Sequence, residues 1–99
     1  LFVLAIGIDR FGNPSYNLRY TLSDARAVVR LLKERAKGLY SDVRARLLVN
    51  PGKRDVIEAF RGLSEEMTQY DAFVFYAATH GEATDDRYWL ITRGFSGSL

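Results

Sequence analysis

Apolar residues fill Phe2 to Ile8 almost without a break and give way to Asp9-Arg10, the pattern of a strand covered on both faces. The next stretch, Phe11-Gly12-Asn13-Pro14-Ser15, has the composition of a loop. From Leu22 the apolar positions recur as Leu22, Ala25, Val28, Val29, Leu32 and Ala36, with Arg26, Arg30, Lys33 and Lys37 between them. That spacing predicts one amphipathic helix stopping near Gly38. Val43 to Val49 reads as a second strand, ended by the turn signal Asn50-Pro51-Gly52. A second helix follows, its stripe formed by Val56, Ile57, Phe60, Leu63 and Met67, with Asp55 at the end that favours negative charge. Ala72 to Ala78 reads as a third strand with the look of a buried one. After it come Thr79-His80-Gly81, a polar turn from Glu82 to Arg87, and a short fourth strand over Tyr88 to Thr92.

The order β-α-β-α-β with short connections predicts an α/β fold, a parallel sheet reached by right-handed crossovers with helices packed on it. If the first strand sits between the second and third, the crossovers leave in opposite directions and a crevice opens at the C-terminal ends of strands one and three. His80 then lies at one lip of that crevice and the Asp9 to Arg19 loop at the other.

Composition narrows the function classes. A chain of 99 residues, just under half of them hydrophobic, supports one compact domain that buries roughly 65% of the unfolded chain's surface. Basic residues exceed acidic ones by two and are spread along the helices without an accompanying aromatic cluster, which argues against a nucleic-acid partner. The chain has no cysteine, which excludes a disulfide framework and any thiolate metal site and fits a reducing compartment, so a cytoplasmic location is expected. The opening apolar run is too short to span a bilayer and lacks a basic leader, so no membrane association is expected. The apolar start and the Ser96-Gly97-Ser98-Leu99 end suggest a piece of a longer protein.

His80 is the single histidine, delivered to the end of an apolar strand and followed at once by a glycine. A histidine so placed can be a catalytic base beside a backbone N–H donor, or a strand-end residue satisfied by a backbone carbonyl. Other candidates are weaker. Asp9 ends the first strand as a phospho-acceptor would, but the acidic partners and lysine of that chemistry are not in place, and a polar loop residue is the simpler reading. Gly7 and Gly12 do not form a phosphate-cradling loop, because no helix opens directly after them. The Asp85-Asp86 pair falls far short of an oxygen-ligand set for a cation, and no cofactor is expected.

Phe75-Tyr76-Ala77-Ala78-Thr79-His80-Gly81 resembles the aromatic-aromatic-x-Ser-Gly-His-Gly stretch of caspase-like cysteine peptidases, the clan of caspases, metacaspases and paracaspases. Leu18-Arg19-Tyr20-Thr21-Leu22-Ser23-Asp24-Ala25 is similar to the Leu-x-Gly-Cys-x-Asn-Asp-Ala segment of metacaspases and related bacterial enzymes. Val3-Leu4-Ala5-Ile6-Gly7-Ile8 resembles the first strand of that group, and Tyr88-Trp89-Leu90-Ile91 the hairpin strand after its His loop. The resemblance covers nearly the whole chain, and the His-Gly segment is its most specific part.

The resemblance implies a partial three-layer α/β/α caspase-like fold and a cysteine endopeptidase of the peptidase C14 type. In it His80 is the acid/base of a Cys-His dyad, and the N–H of Gly81 is one donor of the oxyanion hole. It places the cysteine at the end of a later strand, on the order of 50 residues past the histidine. That lies beyond Leu99, so residues 1–99 are expected to be the N-terminal half of one such domain, inactive alone, with the missing C-terminal half and a peptide or protein substrate as partners. In metacaspase-like relatives the residue matching Asp24 lines an acidic S1 pocket for Arg or Lys. Read structurally, Thr21-x-x-Asp24 is instead a capping box at the helix start. Thr21, Ala78 and Thr79 replace the family's Cys, Ser and Gly, and Leu18 stands where caspases carry an arginine for aspartate substrates. The first three departures remove usual pocket-lining groups; Leu18 argues only against aspartate, so the basic preference is what the resemblance at Asp24 implies. The alternative is a caspase-like module that binds or scaffolds partners without catalysis.

Overall fold

The computed structural model describes residues 1–39, 42–83 and 86–93. Three parallel strands form the sheet: β1 (Phe2–Gly7), β2 (Arg44–Val49) and β3 (Phe73–Ala78), in the order β2-β1-β3. Phe2 pairs with Arg44 on one side and Phe73 on the other, and the register runs unbroken to Gly7, which meets Val49 and Ala78. β1 is central and buried at all six residues, which accounts for its continuous apolar sequence. This order meets the condition for a crevice at the C-terminal ends of β1 and β3.

Two helices cover the sheet: α1 (Thr21–Arg35) and α2 (Lys53–Glu66). Alternate residues of a strand face opposite sides, so the contacts of β1 show which helix lies where. Phe2 and Leu4 cluster with Ala59 and Leu63 of α2, flanked by Leu48, Met67, Phe73 and Phe75. Gly7, on the other face, lies against the first turns of α1. A Cβ at Gly7 would stand 3.0 Å from the Thr21 carbonyl oxygen and 3.2 Å from Ala25 Cβ. The helices thus occupy opposite faces, giving three layers, and the missing side chain of Gly7 lets α1 start directly over the C-terminal end of β1.

β3 differs from its apolar sequence. Every residue from Phe73 to Ala78 is only half-buried. Its partner among the described residues is β1 on one edge, so apolar residues on both faces are covered only in part. On the α2 face, the Phe60 ring makes tilted contacts with Phe73 and Phe75 at centroid distances of 5.7 and 5.0 Å.

The start of α1 corrects a second expectation. Its N-cap is Tyr20, held at φ 68°, and no side chain caps the helix. Thr21 is already the first helical residue, so its hydroxyl cannot close a capping box with Asp24; Oγ1 is buried with no hydrogen-bond partner among the described residues. Ser23 Oγ instead donates to the Tyr20 carbonyl at 2.9 Å. At α2 the expected charge effect is present, with Asp55 Oδ2 accepting the Gly52 N–H at 2.8 Å.

The expected polar turn begins as a strand. β4 (Gly81–Ala83) pairs antiparallel with β5 (Tyr88–Leu90) in a small second sheet. Ile91 and Thr92 lie outside that strand. Asp85 and the 96–99 end fall outside the described residues. No helix among the described residues is long and apolar enough to cross a membrane.

Candidate active site

The C-terminal edge of the sheet gathers the residues singled out from the sequence. Gly7 pairs with Ala78, and two residues later stands His80, so the end of β1, the first turn of α1 and the His loop share one edge. Asp24 sits in that first turn and is exposed. His80 is half-buried and Gly81 exposed.

Three segments fix this edge. The first is the loop after β1. Asn50, at φ 50°, accepts the N–H groups of Asp9 and Arg10 on Oδ1 at 3.0 and 3.1 Å and donates through Nδ2 to Asp9 Oδ1 at 2.9 Å. Asp9 is thereby a structural partner of the β2 turn. Leu18 N–H returns to the Asp9 carbonyl at 2.9 Å, and Asn17 Oδ1 accepts the Phe11 N–H at 2.9 Å, closing the loop on itself.

The second segment follows β5. Ile91 N–H donates to the His80 carbonyl at 3.0 Å, and Thr79 Oγ1 donates to the Ile91 carbonyl at 2.8 Å. Arg93 then accepts from Gly12 N–H at 3.0 Å and donates to the Pro51 carbonyl at 3.2 Å. Residues 91–93 therefore tie together the ends of all three strands.

The third element is apolar. Ile8, Phe11 and Ile91 form a buried cluster with Leu18 packed against it, and the Phe11 ring lies against the His80 imidazole. The two lips expected to face each other across a crevice are in contact there. A concavity of about 490 Å³ lies beside Asn50, Pro51 and Arg93 at the β2 end of this edge, two others of about 580 and 240 Å³ lie away from it, and none of the three is lined by His80.

The direction of the Gly81 N–H follows from the ladder. In an antiparallel pair, residues that do not exchange hydrogen bonds alternate with residues that do. The bond from Ile91 N–H to the His80 carbonyl makes Gly81–Leu90 a non-bonding pair, so the Gly81 N–H points away from β5. An imidazole and an outward N–H thus stand on consecutive residues at an exposed edge. Together they can move a proton and bind a developing oxyanion.

His80, Gly81 and Asp24 are legible in the sequence as candidates, whereas Phe11 beside the imidazole and the bonds of Thr79 and His80 to Ile91 are not. An isolated aromatic in an otherwise polar loop was the available signal for Phe11.

No curated protein and no solved structure gives a significant match to this chain. The family model of the caspase domain, peptidase C14, matches residues 2–96, nearly the full length, and the central parallel sheet with a helix on each face agrees with it. The chain belongs to the caspase domain family.

Proposed function

We propose that this chain supplies the acid/base and oxyanion half of a cysteine endopeptidase, with His80 and the Gly81 N–H in those roles. The observation that carries the reading is the half-buried His80 followed by an exposed Gly81 at the C-terminal sheet edge, with the Gly81 N–H turned out of the β4-β5 ladder. The nucleophile is a cysteine from sequence outside residues 1–99, and the chain by itself is inactive.

In the reaction, the His80 imidazole takes the thiol proton, and the thiolate attacks the scissile carbonyl carbon. The carbonyl oxygen becomes an oxyanion that accepts from the Gly81 N–H; with no side chain at Gly81, the substrate can approach closely. Collapse breaks the C–N bond, and the imidazolium protonates the leaving amine, leaving a thioester. Water then adds with the imidazole as base, releasing the acid and restoring the thiol. Asp24, exposed in the first turn of α1, gives the substrate pocket a carboxylate and a preference for Arg or Lys before the cleaved bond.

The test is peptide hydrolysis by the full-length protein on Arg, Lys and Asp substrates, with and without His80→Ala. A loss of about 10²–10⁴-fold in kcat is expected from the substitution. Equal turnover in the variant, or a full-length sequence with no cysteine about 50 residues past His80, overturns the peptidase reading and favours a binding module.

A further inference from the structure

We infer that Thr79 is a positioning residue for both His80 and Gly81, acting through its hydroxyl on Ile91. The inference rests on the peptidase reading above for its catalytic meaning, and on geometry alone for its structural one. Both backbone polar groups of Ile91 are taken up by the Thr79-His80 segment: its N–H by the His80 carbonyl at 3.0 Å, its carbonyl by Thr79 Oγ1 at 2.8 Å. The two bonds join the entry and exit of the β4-β5 hairpin at one point.

That point decides two things. It sets Gly81 opposite Leu90 as a non-bonding pair, which turns the Gly81 N–H outward. A slip of one residue would reverse the alternation and turn that N–H into the ladder. It also holds Ile91, 3% exposed, in the cluster with Phe11, and Phe11 in turn meets the His80 ring. A hydroxyl at position 79 therefore couples the orientation of the oxyanion donor to the seat of the imidazole. Glycine at this position could not make the bond. β-Branching at Thr79 adds to the effect, because it restricts χ1 and so keeps the hydroxyl aimed.

The test compares Thr79→Val, which keeps shape and removes the hydroxyl, with Thr79→Ser, which keeps the hydroxyl. In the full-length protein, amide exchange and NMR report the lock directly. Thr79→Val is expected to speed exchange at the Ile91 amide about tenfold and to weaken the Phe11–His80 ring contacts, while β1 amides stay protected; Thr79→Ser restores both. In the full-length protein, Thr79→Val is expected to lower kcat about tenfold or more with little change in KM, again restored by serine. Unchanged Ile91 exchange and ring contacts in Thr79→Val overturn the lock. A lock lost with kcat unchanged overturns the positioning role. A full-length protein that hydrolyses no peptide refutes the peptidase reading and with it the catalytic role, while the exchange result still decides the lock.

Discussion

The ring of Phe11 lies 5.2 Å from the imidazole of His80, the two planes tilted by 49°, so a residue from the loop after β1 seats a histidine delivered by β3. Phe11 is 7% exposed and shares its cluster with Ile8 and Ile91. Phe11→Ala removes a buried ring and the apolar side of the histidine's environment together. A loss of about 3–4 kcal/mol is expected in denaturant unfolding, as for other buried aromatics. A change below about 1 kcal/mol would show that the loop does not stay packed on His80 in solution.

Gly7 carries a stringent steric prediction. A methyl there meets the Thr21 carbonyl, which is backbone inside a helix and cannot swing aside. Gly7→Ala is expected to cost about 1–3 kcal/mol by lifting the first turn of α1 off β1, despite the usual gain from replacing glycine in a strand. Thermal unfolding reads the sign: a stabilised variant would mean that α1 shifts freely over the strand end.

Much of this architecture was legible in the residues, and the parts that were not have a common physical cause. β1 could be read as a central strand because burial on both faces demands an unbroken apolar run, and Phe2 to Ile8 meets that demand. β3 carries the same signature, yet its half-burial depends on which neighbours its edges have, and local composition does not encode neighbours. The Thr21-Asp24 spacing fits a cap as well as it fits a helix interior. Tyr20 in a left-handed conformation decided between them, and tyrosine has no propensity that announces it. His80 and Gly81 stood out as a motif, whereas their supports, Phe11, Thr79 and Ile91, are joined by contacts across distant parts of the chain.

Asn50 joins two strand ends with one side chain, accepting from Asp9 and Arg10 and donating to Asp9. Its φ of 50° is one that asparagine tolerates better than most residues. Asn50→Ala loses three hydrogen bonds and retains the backbone strain, and about 2–3 kcal/mol of destabilisation is expected. Asn50→Gly relieves the strain but not the bonds, so it should fall between wild type and alanine in urea unfolding. Alanine equal to wild type would remove the clip as a source of stability.

Arg44 bridges Asp42 at 3.2 Å and Glu66 at 3.1 Å, with all three side chains more than half exposed. Pairs in water contribute little because solvent and salt screen them. Arg44→Ala is expected to change stability by less than about 1 kcal/mol, and by still less in 1 M salt. A larger loss that salt does not reduce would point to packing of the arginine stem and not to charge.

Asp24 separates stability from specificity. It lies in the first turn of α1, where a carboxylate gains from the helix dipole, but no side chain caps this helix and Asp24 is exposed. Asp24→Asn keeps the shape and removes the charge, so unfolding should shift by no more than about 0.5 kcal/mol. If the proposed peptidase activity holds and the carboxylate faces the substrate's basic side chain, the same change should lower kcat/KM on Arg and Lys peptides about tenfold or more in the full-length protein. Discrimination against neutral peptides of the same length should narrow in parallel, since a lost charge pair affects only the charged ligand. Equal losses on basic and neutral peptides would mean that Asp24 acts on the helix and not on the substrate. A stability loss above about 1 kcal/mol would say the same by an independent route.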